Sequence, residues 1–356
     1  SVDLPEDRAL AREVARSGVV VLRNEPVGEA PLLPLESGPG STVAVIGPNA
    51  DPGIIQGGGS AELPAHHVSR PVSAFSEAFG GVTSAKGCRG ERYLPLVPPS
   101  SWVGDADRPV ALEVFAGDDF DGPPVLARNT TNIGEMLMRG VAEAPDPKRF
   151  SSRWTGTLQI DEAGTHRFSV FAVGPSRVKI NGEVIVDNWS APVPGDGFFQ
   201  AASAEVVGSI DLEVGTIDIV VEWTADPEPL LTGLRFGWLP PVDDDQLMAE
   251  AVQAAASADT AIVIVGLDAD WETESHDRPI YGLPGRQDEL IRKVFEANPR
   301  TVVVVNAGGP IDLPWFDDIP AVAVAWYGGQ EFGDGLSDVL TGVVDASGRL
   351  PVTFPK

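Results

Sequence analysis

Cysteine is almost absent from this chain. Its single copy, Cys88, cannot form an internal disulfide, so the redox compartment is left open, and a zinc site built on several cysteines is excluded. Positive charge is in short supply as well. Lys and Arg number 25 against 52 Asp and Glu, a formal net charge of −27. Phosphate backbones and anionic membrane surfaces attract the opposite sign, so neither nucleic acid nor a membrane is expected as a partner. No apolar run approaches the ~18 residues of a transmembrane helix. The expectation is a soluble protein, cytoplasmic or secreted, with the compartment open. There are four histidines, His66, His67, His166 and His276, and no Gly-x-Ser-x-Gly elbow, so a Ser-His-Asp triad has little support. Fixed-period repeats and low-complexity stretches are missing too. The first residue is Ser1 rather than Met, no signal-peptide pattern follows, and the chain stops just after a strand-like stretch at 350–355. We read it as a piece of something longer.

What is present is ample for folding. The 356 residues suffice for two or three domains at roughly 150 residues each. A 43% hydrophobic content supplies real cores. The hydrophobic period changes twice along the chain. Residues 5–16 are helical in pattern, with Asp3 as the expected N-cap and Pro5 in the first turn. Residues 18–23 read as a strand, and 42–47 is a continuous apolar run that fits a strand covered on both faces, as in a parallel sheet. Residues 71–79 are helical again. From about 97 to 239 the period becomes two, with Asn181-Gly182 and Ala163-Gly164 as turns, which argues for a β-sandwich. From Asp243 the α/β rhythm returns: helices at 243–256, 287–297 and 334–340, and buried strands at 260–266, 301–306 and 321–326.

The fold class expected is therefore α/β, an α/β/α sandwich with a largely parallel sheet, interrupted by an inserted all-β sandwich. The expected boundaries are 1–96, 97–240 and 241–356. A sheet of ordinary size needs strands from both flanks.

Three glycine-rich stretches, Gly47-Pro-Asn-Ala-Asp51, Gly57-Gly-Gly-Ser60 and Gly328-Gly-Gln-Glu331, invite a phosphate-loop reading. None carries the P-loop Lys or a Gly-x-Gly-x-x-Gly fingerprint, so they read as tight turns at strand carboxyl ends, where open α/β sheets bind ligands. The richest segment is Asp268-Ala-Asp-Trp-Glu-Thr-Glu-Ser-His-Asp-Arg278, with five carboxylates in eleven residues. Crowded carboxylates oppose one another's ionisation, and a raised carboxyl pKa suits a general acid. A solvated acidic loop is the plainer reading. Oxygen ligands suit a hard cation, but the spacing matches no calcium loop. No cofactor and no metal are expected. Asn129-Thr-Thr131 and Asn188-Trp-Ser190 are sequons by pattern, and chance is the plainer reading. Most aromatic residues of the β region sit at alternating strand positions and fill its core. Trp189, Phe198 and Phe199 fall in a Pro/Gly-rich loop and are the better sugar-stacking candidates.

Taken together, several blocks resemble glycoside hydrolase family 3. Ala15-Arg-Ser-Gly-Val-Val-Val-Leu-Arg-Asn-Glu25 with Leu32-Leu-Pro-Leu35 resembles the entry to its second domain. Val43-Ala-Val-Ile-Gly-Pro-Asn-Ala-Asp51, Gly57-Gly-Gly-Ser-Ala61 and Ala85-Lys-Gly-Cys88 follow. Trp271-Glu-Thr-Glu274 with Asp277-Arg278 resembles the acid/base loop. Trp315, Ala325-Trp-Tyr-Gly-Gly-Gln-Glu331 and Gly348-Arg-Leu-Pro351 come next in family order. Arg153-Trp-Thr-Gly-Thr-Leu158, 164–168 and Ile180-Asn-Gly-Glu183 resemble the protective-antigen-like sandwich that some of these β-glucosidases carry.

The resemblance implies a retaining β-glucosidase acting on a β-glucoside or oligosaccharide. Its acid/base falls on Glu274, with Glu272 as the rival in the same loop and Trp271 beside the substrate. The family's usual Gly-Tyr is replaced by Ser275-His276 here, and His276 is given no role. The family nucleophile is an Asp in a Ser-Asp-Trp context on a (β/α)-barrel. That context is absent; Ser337-Asp338 is followed by Val339. The chain is thus expected to hold half an active site, with the barrel half as its partner, and to give no turnover alone. Self-association into a homo-oligomer stays open. The alternative is a non-catalytic carbohydrate-binding module working through the β-sandwich loops. A nucleotide-binding α/β protein is a third reading, opposed by the missing phosphate fingerprints.

Overall fold

The computed structural model describes residues 3–105 and 107–354. They fall into two compact units. One takes the chain up to Arg92 and from Asp243 onward; the other is Tyr93–Val242.

In the first unit, the described residues form a six-stranded sheet in the order Val20–Asn24, Ala321–Val324, Thr301–Asn306, Thr260–Gly266, Gly38–Ile46, Phe79–Ala85. Every pairing is parallel except Val20–Asn24 against Ala321–Val324. The central strands are Val/Ile/Ala runs with no polar alternation because both faces are covered. On one face Met248, Ala251, Leu290, Ile291 and Val294 from helices Asp244–Ala256 and Gln287–Ala297 pack on Ile46, Val263 and Val303. On the other, Phe75 and Leu336 from helices Pro71–Ala78 and Phe332–Leu340 pack on Val45, Ile264 and Val304. The result is a three-layer α/β/α sandwich.

Local details depart from expectation. The first helix runs Pro5–Gly18, and its N-cap position is Leu4, not Asp3; the Asp3 carboxylate is drawn instead to the Arg8 side chain. The strand Phe79–Ala85 was not expected: two glycines and three small or hydroxyl residues hide it, and as an edge strand it needs no apolar face. The strand from Ala321 stops at Val324, because Trp326 adopts a left-handed φ of 53°. The last helix begins at Phe332, two residues early. Residues 350–354 form no strand, and Pro355 lies outside the described residues.

The second unit is an all-antiparallel sandwich. Among the described residues seven strands run Glu183–Asn188, Ser176–Ile180, Gly215–Thr224, Phe150–Ile160, Val110–Ala116 and Leu126–Thr130, with Trp102–Val103 pairing Phe150–Ile160. Four face them: Val206–Leu212, Gly164–Ala172, Thr232–Leu239 and Gly134–Leu137. Trp154, Trp223, Phe150, Phe168 and Phe236 are fully buried between the sheets. Asn181 and Gly182, with φ of 49° and 87°, form the primed turn that the dipeptide predicts. The second sequon is a chance match: Asn188 is buried and its amide donates to Ser176 and Ser203 Oγ.

Candidate active site

The carboxyl ends of the parallel strands carry the site, and one buried side chain organises them. Asn306, the last residue of its strand, is fully buried. Its Oδ1 accepts from Asn49 Nδ2 (3.0 Å) and from the Ile54 N–H (3.1 Å). Its Nδ2 donates to the carbonyls of Ile54 (2.9 Å) and Trp326 (2.6 Å). Four bonds thus tie three separate turns together, and a buried amide left with fewer would be costly. The turn after Gly38–Ile46 starts at Gly47 because a Cβ there would lie 2.1 Å from the Ile264 carbonyl oxygen.

The acidic loop leaves the strand Thr260–Gly266 beside this hub. Asp268 opens it: its Oδ1 accepts from the amides of Asp270 (3.0 Å) and Trp271 (3.1 Å). Burial, and then the neighbouring Asp270, push the Asp268 carboxyl up to about 6. Trp271 Nε1 donates to the Gly90 carbonyl at 2.6 Å, and the Arg92 guanidinium lies 5.5 Å from its ring centre. Its indole is a strut between two loops.

The two candidate glutamates face different surroundings. Glu272 Oε2 accepts from the Gly308 N–H at 2.6 Å and from the Tyr327 hydroxyl, and Oε1 lies 3.7 Å from Arg278 Nε. Burial first, and Glu272 second, push the Tyr327 phenol far above its ordinary range. Glu274 is exposed, and its Oε2 accepts from the Ser60 N–H at 3.0 Å. That contact with Ser60 holds the Glu274 carboxyl below the usual carboxylate range. Crowding does raise one carboxyl of the loop, but it is Asp268, and burial is the larger cause.

The triple glycine lies along this loop. The Gly58 N–H donates to the Glu272 carbonyl at 2.9 Å. A Cβ on Gly58 would stand 2.5 Å from the Ala269 carbonyl oxygen. Backbone approaches this close require glycine. The stretch reads as a cradle for the acidic loop rather than a phosphate loop. Sequence reasoning did not single out Asn306, Gly308 or Tyr327 as site residues. Their only signals were a strand-terminal Asn and a Tyr inside a quoted motif.

Trp189, Phe198 and Phe199 belong to the other unit. Phe198 packs on Phe171, ring centres 5.4 Å apart, over Gly233, where a Cβ would meet its ring at 2.9 Å. It is a packing residue of the sandwich. Trp189 lies under the Arg177 guanidinium at 4.9 Å and near Phe120 at 6.0 Å. Phe199 is 42% exposed. On the outer face of the seven-stranded sheet, Glu222 is buried and bound by Arg153 (3.0 Å), Arg177 (2.6 Å) and Lys179 (2.9 Å).

Among the described residues, no three His, Cys, Asp or Glu side chains are grouped to hold a metal ion. No helix among them is long and apolar enough to cross a membrane. A cleft of about 440 Å³, lined by Gly47, Asn49, Asp51, Lys86, Glu91 and Asp268 among others, opens where the loops after strands Gly38–Ile46 and Thr260–Gly266 diverge. Strand order reverses there, the usual ligand side of an open α/β sheet.

The model for the glycosyl hydrolase family 3 C-terminal domain matches residues 19–356. A β-glucosidase of Rhizobium radiobacter is 38% identical over 366 residues, spanning 100% of this chain and 43% of that protein. A probable β-glucosidase J of Aspergillus fumigatus is 35% identical over 379 residues, spanning 99% of this chain and 44% of that protein. The solved structure of a β-glucosidase from Kluyveromyces marxianus in complex with glucose superposes with a TM-score of 0.87 at 30% identity, over 99% of this chain and 43% of that one. The chain therefore spans less than half the length of these relatives.

Proposed function

From the premise that the chain belongs to glycosyl hydrolase family 3, we infer that it supplies the acid/base side of a retaining β-glucosidase. The other carboxylate, the nucleophile, lies on a (β/α)-barrel that pairs with it. Residues 93–242 are the protective-antigen-like sandwich, inserted in the sequence of the α/β domain. A β-linked glucoside is the substrate, and the chain alone gives no turnover.

Glu274 is the acid/base. The observation that carries this is the contrast within the loop: Glu272 is held by Gly308, Tyr327 and Arg278, whereas Glu274 is presented to solvent with its base against Gly59 and Ser60. In this chain the contact with Ser60 holds its carboxyl below the usual range. A retaining enzyme sets its two carboxyl groups about 5–5.5 Å apart. The nucleophile's charge at that distance raises Glu274, and the barrel's arrival thus prepares the acid. Glu274 then protonates the glycosidic oxygen while the nucleophile attacks the anomeric carbon. In the second step its carboxylate takes a proton from the water that releases glucose.

The test is Glu274→Gln in an enzyme that joins this chain to its barrel. Hydrolysis of alkyl glucosides, which need protonation of the leaving group, should fall at least about a hundredfold more than that of activated aryl glucosides. Equal losses on both overturn the role. A second reading, sugar binding by Tyr93–Val242 without chemistry, rests on the exposed Phe199 and the half-buried Trp189. Sugar binding by this chain with no hydrolysis after the barrel is supplied favours it.

A further inference from the structure

We propose that Tyr327 is a positioning residue, which by gripping Glu272 fixes the acidic loop against its neighbouring strand ends and so sets the place of Glu274. This rests on the reading of Glu274 as acid/base, and it gives Glu272 the work of an anchor rather than of a rival proton donor.

Features of two turns converge on the contact. Tyr327 follows Trp326, whose φ of 53° puts a bulky residue in the left-handed region. Such a conformation costs on the order of 1 kcal/mol and persists only where surroundings enforce it. Asn306 Nδ2 enforces it by donating to the Trp326 carbonyl at 2.6 Å. The reversal delivers the Tyr327 hydroxyl to Glu272 Oε2. Space for the ring is reserved by Gly308, where a Cβ would lie 2.9 Å from Tyr327 Cε2 and 3.1 Å from Glu272 Oε2. The Gly308 N–H then donates to the same oxygen at 2.6 Å.

The anchor reaches Glu274 through two residues of backbone. Glu272 is held on its side-chain end by the turns after Thr301–Asn306 and Ala321–Val324, and on its carbonyl end by the Gly58 N–H. Glu274 is held by the Ser60 N–H. An exposed acid in mid-loop has few contacts of its own to define its position. A displacement near 1 Å is enough to cost a large factor in rate.

The experiment uses the enzyme that joins this chain to its barrel and compares Tyr327→Phe with Glu272→Ala and Glu274→Ala. Tyr327→Phe keeps the ring and removes one hydroxyl, so the thermal midpoint stays close to the parent. Its kcat/KM should fall about tenfold on alkyl glucosides and less than about twofold on activated aryl glucosides. The alkaline limb of its pH profile should move to lower pH, since a looser acid lies farther from the nucleophile's charge. Azide should restore turnover of an aryl glucoside by Glu274→Ala and not by Glu272→Ala. No loss in Tyr327→Phe, or an equal loss on both substrates, overturns the positioning role while leaving Glu274 in place if its own variant is rescued. Rescue of Glu272→Ala instead makes Glu272 the acid/base and overturns both readings.

Discussion

Gly59 and Glu274 are packed so closely that a methyl group on the first would stand 2.6 Å from Cβ of the second. Gly59 also has a φ of +80°, where an L side chain is strained. The position therefore tests both the cradle and the proposed role of the glutamate it supports.

Gly59→Ala should cost about 1–2 kcal/mol of stability, from backbone strain and the need to push Glu274 aside. On the proposal that Glu274 is the acid/base, the same change in an enzyme that joins this chain to a barrel should lower alkyl-glucoside hydrolysis more than aryl-glucoside hydrolysis. Chemical denaturation reads the first effect and the leaving-group series the second. A variant as stable as the parent refutes the close packing.

Asp268→Asn should stabilise the protein at neutral pH. The folded carboxyl is raised to about 6 from 3.8, so the native state binds its proton more tightly than the unfolded chain does. Stability accordingly falls as pH rises from about 4 through 6 and stays lower above. At pH 7 the ionised group costs on the order of 2–3 kcal/mol. Asparagine keeps the acceptor for the amides of Asp270 and Trp271 and carries no charge. The variant should gain about 1–3 kcal/mol at pH 7 and nothing near pH 4, measured by denaturant midpoints across that range.

Glu222→Gln should destabilise the β-sandwich unit by about 3 kcal/mol, because three cations lose their shared counter-charge. Burial alone would raise the Glu222 carboxyl, but Lys179, Arg177 and Arg153 outweigh it and hold it at about 2. A depressed folded pKa contributes stability that is complete above about 4.5 and is lost as pH falls toward 2. Thermal melts from pH 7 down to pH 2.5 should show the parent losing this increment and the variant losing less.

The architecture was legible where composition and period agree. The Val/Ile runs at 260–266 and 301–306 are strands over those residues because nothing but a doubly covered strand suits them. Asp243 caps its helix by accepting from the amides of Asp245 and Gln246, as Asp-Asp-Asp before an apolar stripe suggests. The strand Phe79–Ala85 was hidden because an edge strand is defined by its hydrogen bonds, which leave no pattern in residue type. The acidic loop was visible as an accumulation of charge. Which glutamate is gripped was not, since that depends on Gly308 and Tyr327, 36 and 55 residues farther along the chain. Neither the left-handed turn at Trp326 nor the Asn306 hub follows from local preference; tertiary hydrogen bonds impose both.

The strand order has a bearing on how the molecule is made. Val20–Asn24 sits at one edge of the sheet and the pair Gly38–Ile46 and Phe79–Ala85 at the other; the three strands between them come from Thr260 onward. As these residues emerge from the ribosome, Gly38–Ile46 and Phe79–Ala85 can pair and then wait for more than 150 residues before the strands that complete their sheet exist. The sandwich in between has all its own strands and is free to fold during that interval. The first helix and strand are recruited last, when Ala321–Val324 arrives to receive them. Such late closure makes the newborn chain depend on keeping its early apolar strands out of other company.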